Sequence, residues 1–353
     1  MNNYLIFLFS LFCFGCANIA PISGGPKDTS PPKLIYSTSK IDFSKKTILY
    51  EFNEKIQENN FQKNFYTSPV IGKFSYTINK NFLEIKIEDS IYENSIYNVS
   101  LSNCIKDVTE GNINKHITSD FLTYDKNERK IHFYTIKGSI TNSFSSTKES
   151  NHYVLLYNYT LPDSNVFKSM PLYITKTDQA GNFKFQNLKK NKYKIFSISG
   201  NDYVYNNNEE ISFHNKIIDV EKDSICHLLS FNPHLSIDSI KNESVDTQSN
   251  SSLTLNLKKE GDYIICLIKN EKIVFMKSFE KTRKIRLQNI SPSNYTVRLI
   301  IDENNNGFWD SGSLTKNILP EKTFSYPEEI QLRKNWDLIL SWDLITDESK
   351  NSK

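Results

Sequence analysis

Glycine is scarce in this chain of 353 residues, with 11 in all. They form no phosphate-cradling loop and no dinucleotide fingerprint, and the chain holds neither a Gly-x-Ser-x-Gly elbow nor a His-Glu-x-x-His pair. The usual nucleotide-binding, serine-hydrolase and zinc-protease readings therefore have no motif to rest on. Six histidines stand singly, at positions 116, 132, 152, 214, 227 and 234, without the spacing of a zinc site, and none is given a role. Cysteine is sparse, with 5 residues. Setting aside Cys13 and Cys16 near the start, Cys104, Cys226 and Cys266 make an odd trio that cannot be a disulfide framework. Cys266, inside the apolar stretch Tyr263–Ile268, reads as a small core residue. Neither sign of charge dominates: 43 basic and 40 acidic side chains, mixed along the chain, leave a net charge of +3. A balance of that kind excludes the basic field that nucleic-acid binding needs. The apolar run Tyr4–Phe14 has eleven residues, whereas a membrane-spanning helix needs about 20. No downstream stretch sustains a repeat of 3.6, so little helix is expected.

What is present begins with that run. An uncharged apolar segment followed by Gly15 and Cys16 reads as a cleaved lipoprotein signal, residues 1–15, with Cys16 as the lipid-modified first residue of the mature chain. Cys13 stands where Leu is usual in such a signal, and the first three residues carry no Lys or Arg. Residues 16–30 are rich in Pro, Gly and Ser and form a tether. Beyond it the chain is aromatic, with 19 Tyr and 23 Phe, types that favour strands. Apolar residues alternate with polar ones at Ile48, Tyr50 and Phe52, at Leu83, Ile85 and Ile87, and at Tyr97, Val99 and Leu101. That period of two marks half-buried strands, and the turn clusters between them, Thr67-Ser-Pro69 and Glu110-Gly-Asn112, suit a sandwich. Tyr153–Tyr157 is apolar throughout and reads as a strand buried on both faces. The expected architecture is all-β: three tandem β-sandwich modules at 31–124, 131–235 and 251–346, with a polar linker at 236–252.

Two acidic pairs, Glu209-Glu210 and Glu328-Glu329, read as solvated edges, because adjacent side chains on a strand point to opposite faces. The sharpest constellation is Asp302-Glu-Asn-Asn-Asn-Gly-Phe-Trp-Asp310. Asp302, Asn304, Asn306, the Phe308 carbonyl and Asp310 fall at the first, third, fifth, seventh and ninth places of a calcium loop, with Gly307 at the sixth. Ser313 stands where the bidentate Glu belongs. Calcium is thus a candidate cofactor and none is required. The competing reading is a plain turn, since Asn-Gly accepts positive φ and Asn side chains cap local backbone.

The run from Cys16 to Pro32, with Phe52-Asn-Glu-Lys-Ile56, Ser68-Pro69, Tyr97-Asn-Val99 and Ile105–Asn112, resembles Bacteroidetes-type envelope lipoproteins that carry a bacterial Ig-like domain. Asp178–Leu188 is similar to carboxypeptidase-regulatory-like or transthyretin-like sandwiches, and Asp302–Asp310 with Arg333–Asp337 resembles the same lipoproteins' C-terminal part. The resemblance implies an Ig-like fold and an envelope location, and it brings no activity or catalytic residues. The expectation is a non-enzymatic protein held by its lipid in the outer membrane. Its role is binding or structural, with an unidentified envelope protein or glycan as partner. Because Ala17 and Asn18 follow the lipidated position and the first acidic residue is Asp28, the periplasmic face is expected rather than the cell surface. The alternative is a hydrolase of envelope polysaccharide or peptidoglycan, with a carboxylate site assembled from distant residues.

Overall fold

A computed structural model describes residues 26–123, 131–200, 203–206, 208–234 and 251–344. The signal segment, Cys16, the tether up to residue 25 and the linker at 236–250 lie outside the described residues. The described chain is almost entirely β. A four-residue helix at Phe61–Asn64 and a short 3-10 turn at Asp163–Asn165 are its helical pieces. The strands fall into three groups along the chain, and no sheet mixes strands of different groups.

The first group contains β1 (Leu34–Ser37), β2 (Thr47–Phe52), β3 (Ile56–Glu58), β4 (Tyr66–Ser68), β5 (Phe74–Asn79), β6 (Phe82–Ile87), β7 (Ile96–Ser100), β8 (Ile105–Asp107) and β9 (Thr118–Leu122). One sheet runs β1-β2-β6-β5 and a second β4-β7-β9. Ile48, Tyr50, Phe52, Leu83, Ile85 and Ile87 from the first sheet share a core with Tyr97, Val99 and Phe121 from the second, which makes the pair a sandwich. The alternation seen in the sequence is the inward half of each pleat. Thr67-Ser-Pro69 is not wholly a turn: Thr67 and Ser68 finish β4, and pairing stops at Pro69, which has no N–H to give. The turn at Glu110–Asn112 is held by Asp107, whose carboxylate accepts the backbone N–H groups of Glu110, Gly111 and Asn112 at 2.6, 2.8 and 2.9 Å.

The second group contains β10 (Tyr134–Asn142), β11 (Tyr153–Asn158), β12 (Tyr173–Lys176), β13 (Asn182–Leu188), β14 (Lys192–Ile198), β15 (Ile211–Phe213), β16 (Ile218–Asp219) and β17 (Ile225–Ser230). Here β13-β10-β17 faces β12-β11-β14-β15, with β10 and β17 parallel. Ile136, Ile140, Phe183, Phe185 and Leu228 meet Val154, Leu156, Tyr193 and Ile195 between the sheets. The reverse side of β11 and β14, with Tyr153, Leu155, Phe196 and Ile198, is buried as well. Tyr66 and Val70 of the first group and Leu314 and Leu319 of the third pack against it. That is why Tyr153–Tyr157 has no polar side: each face of its sheet is a core, and one of those cores is shared with the neighbouring groups.

The third group contains β18 (Ser252–Lys269), β19 (Lys272–Gln288), β20 (Ser293–Ile301), β21 (Thr323–Ser325), β22 (Ile330–Leu332) and β23 (Asp337–Trp342). The sequence suggests several short strands here, but β18 runs on through the polar stretch Lys258–Asp262 and β19 through Glu280–Lys284, because backbone pairing does not require apolar side chains. Their register shifts between Asn256 and Tyr263. Bulges there let one hairpin bend so that its two halves face each other. Leu253, Leu255 and Ile285 from one half meet Tyr263, Ile265 and Leu267 from the other, with Tyr295, Val297 and Leu299 of β20. The hairpin closes at Asn270-Glu271, both at positive φ, as a two-residue turn matched to strand twist requires.

Candidate functional site

β20 delivers the chain into the Asp302 loop. Asp302 is buried, and its two carboxylate oxygens accept the backbone N–H groups of Asn306 at 3.1 Å and Gly307 at 2.8 Å. Gly307 has φ of 78°, the left-handed value that glycine tolerates without strain. The Asn304 amide oxygen accepts from the Asn306 N–H at 3.1 Å, and the Asn306 amide oxygen accepts from the Phe308 N–H at 2.7 Å. Both amide NH2 groups donate to the Asp310 carboxylate, at 2.5 and 3.0 Å. Four of the predicted side chains therefore converge: Asp302, Asn304, Asn306 and Asp310. The side chain of Phe308 points away and is 49% exposed, whereas Trp309 beside it is buried.

A residue the sequence reading missed completes the loop. Glu321 is buried, and its carboxylate accepts the backbone N–H groups of Glu303 at 2.9 Å and Asp310 at 3.0 Å. Burial pushes its pKa up, the two N–H groups oppose that, and the charges of Asp310 and Asp302 add to the rise. Against a calcium ion, the fit is poor as arranged: the amide oxygens of Asn304 and Asn306 are committed to backbone, and their NH2 groups face Asp310. An ion would have to turn both amides round. The hydrogen bonds present are those of a self-closed turn.

What the loop positions is Trp309. Its indole N–H donates to the Glu321 carbonyl at 3.3 Å, and its ring joins Ile264, Cys266 and Ile300 on the outer face of β18 and β20. Phe144, from the turn after β10, packs edge-on at 5.0 Å between ring centroids. Arg298 of β20 lies over the other side of this contact, its guanidinium 4.5 Å from the Phe144 ring centre, and donates to the Ser145 carbonyl at 3.2 Å. The Thr323 hydroxyl donates to the Ser143 carbonyl at 2.5 Å. The second and third groups are thus joined by a ring pair, a cation over a ring and hydrogen bonds from side chains to backbone. Arg298 left a readable trace, as the one charge in the otherwise uncharged strand Tyr295–Ile301. Its partner Phe144, 154 residues away in sequence, left none.

At the base of the same turn the solvated-edge reading of Glu209-Glu210 fails for its second member. Glu210 is half-buried, accepts from the Asn142 amide at 3.4 Å, and faces Glu149 and His152. Burial first, and then the Glu149 charge, raise its pKa. The adjacent-residue rule was sound for the backbone, but the sheet brought other acids and a histidine to one side of the pair. His152, likewise given no role in the sequence reading, is 4% exposed, and burial pulls its pKa down to about 4. Among the described residues, two shallow depressions are lined by charged side chains. The first, about 260 Å³, is lined by Lys258, Lys259, Lys322, Glu303 and Asp343 among others, with Asp343 already paired to Lys258. The second holds a single carboxylate, Asp178, which caps its own turn through Ala180 and Asn182.

No protein family matches the chain, and no curated protein matches it. Among solved structures, a DUF3823 family protein from Parabacteroides merdae overlaps 58% of this chain and 100% of its own, at 12% identity and a TM-score of 0.20. A minor pilin from Streptococcus agalactiae overlaps 60% of this chain and 94% of its own, at 11% identity and a TM-score of 0.20. The N-terminal part of a bacterial S-layer protein, SbsC, overlaps 49% of this chain and 42% of its own, at 15% identity and a TM-score of 0.22. Likenesses this weak carry no argument about activity or partners.

Proposed function

We propose that this chain is a lipid-anchored envelope protein whose role is non-enzymatic: its β-sandwich modules brace or bind another envelope component, a protein or a glycan. The observation that carries the reading is the continuity of packing from one strand group to the next. Val70 donates its backbone N–H to the Leu172 carbonyl at 2.9 Å, and Tyr66 meets Tyr153 edge-on, so the first seam is as closely built as the Trp309 seam. A body packed end to end holds distant surfaces at fixed separation, which suits a brace or a binding platform. The anchor rests on Gly15-Cys16 and the apolar run before it, and with it come cleavage before Cys16, the outer membrane and its periplasmic face. Replacing Cys16→Ser is expected to abolish incorporation of a fatty-acid probe and move the protein from the membrane to the soluble fraction. Unchanged labelling and retention would end the proposal of a lipid anchor.

Calcium enters this proposal only as an added brace at the Asp302 loop, with Asp302, Asn304, Asn306, the Phe308 carbonyl and Asp310 as its ligands. Two carboxylates would give a site of about 10⁻⁴–10⁻³ M, as in extracellular modules. Melting curves in chelator and in millimolar calcium decide it. A rise in melting temperature that disappears in Asp302→Ala and Asp310→Ala supports the ion, and coincident curves leave the loop as a turn.

A further inference from the structure

We propose that Glu149, His152 and Glu210 form a binding site for one divalent transition-metal ion of the zinc type. The site would offer a single imidazole nitrogen and two carboxylate oxygens. Topology assembles it from places remote in sequence: Glu149 and His152 both lie in the turn just before β11, and Glu210 immediately precedes β15, which lies across β14 from β11. One potential ligand atom from each residue lies within 4.8 Å of the other two. The Nε2 of His152 is 3.6 Å from a Glu149 carboxylate oxygen, too long for a hydrogen bond. Two ligands held about 2.0–2.1 Å from one tetrahedral zinc ion sit roughly 3.3 Å apart, close to that separation.

The second observation is what surrounds the three residues. Among the described residues, three buried side-chain polar atoms have no hydrogen-bond partner: Ser143 Oγ, His152 Nδ1 and Ser230 Oγ. All three belong to this corner. The Ser143 backbone N–H donates to the Ser230 carbonyl at 2.8 Å, and the preceding residue, Asn142, donates its amide to Glu210. The Ser230 hydroxyl stabilises the Glu210 carboxylate without completing a hydrogen bond to it. Buried polar atoms left unpaired are costly, and their clustering marks a place where water or an ion is missing. His152 Nδ1 lies on the other side of the ring from Nε2, so it is the place for a water that orients the imidazole, with Nε2 left for the ion. A mixed nitrogen and carboxylate set favours zinc-type ions over calcium or magnesium, which take oxygen alone. Three protein ligands leave a fourth position for water. The ion would tie the β10–β11 turn, which carries Phe144 to the third group, to the start of β15 in the sheet that the turn leads into.

The test uses the full chain, stripped with chelator and titrated with zinc chloride by calorimetry and with cobalt(II) by visible absorption. The expected result is saturable uptake of one ion per chain, with a rise in melting temperature. Glu149→Gln and Glu210→Gln keep side-chain size at partly exposed positions and are each expected to weaken uptake tenfold or more. The exposed-site control Glu328→Gln should leave it unchanged. Circular dichroism of each variant separates loss of the site from loss of the fold. Absence of saturable uptake by the wild type would overturn the proposal, as would equal uptake by a folded Glu149→Gln/Glu210→Gln double variant. In either case these three residues hold no ion.

Discussion

Trp309→Ala is expected to destabilise the protein by about 3–5 kcal/mol, the range for deleting a large aromatic side chain from a core. Trp309 is 4% exposed and covers Ile264, Cys266 and Ile300, while its indole N–H is fixed by the Glu321 carbonyl. Removing the ring opens a cavity that Phe144 must either enter or abandon. Because Phe144 is the second group's contribution to that seam, unfolding should lose cooperativity along with stability. Denaturant melts followed by circular dichroism should show two separable transitions in the variant where the wild type shows fewer. Phe308→Ala, one residue earlier and half exposed, is the internal control, expected to change stability by no more than about 0.5 kcal/mol. A loss below about 1 kcal/mol for Trp309→Ala would mean that the seam is not a core.

Gly138→Ala is expected to be comparably severe through the opposite fault, too much volume. Gly138 sits mid-strand in β10, opposite Phe183 on one side and Cys226 on the other. A β-carbon there would fall 1.9 Å from the Cys226 carbonyl oxygen and 2.4 Å from the Phe183 ring. The ring could swing aside, but the carbonyl belongs to the paired backbone of β17 and could not. Forcing the two strands apart costs about 3 kcal/mol, the upper part of the range for overpacking. The companion variant Gly138→Ala/Phe183→Leu shows which contact matters. It is expected to remain destabilised, and full rescue would put the obstacle in the ring instead of the backbone.

The fold was largely legible because a sandwich strand writes its burial directly into the chain. Ile48, Tyr50 and Phe52 alternate because their pleat does, and Tyr153–Tyr157 is apolar throughout because both its faces are covered. The sequence could not say what covers the second face, since Tyr66 and Leu319 come from opposite ends of the described chain. The same division holds at the sites. Asp302, Asn304, Asn306 and Asp310 were visible as a set because one short loop carries them all. Glu321 was hidden, being brought back by the turn closed between Ser313 and Ile318. Glu149, His152 and Glu210 were hidden more deeply. They become neighbours only once β11, β14 and β15 have taken their order in the sheet, and no local pattern encodes that order.

The parallel pairs have a mechanical consequence. In the second group the first strand, β10, pairs with the last, β17, over Lys137–Asn142 and Ile225–Ser230. In the third group the first strand, β18, pairs with the last, β23, over Ser252–Leu257 and Asp337–Trp342. Tension applied through the two ends of either group pulls these partners along their own length in opposite directions. The hydrogen bonds between them are then loaded in shear and must fail together, whereas an antiparallel pair pulled from one end peels open a bond at a time. Each group therefore closes its chain with a clasp that resists stretching between its ends.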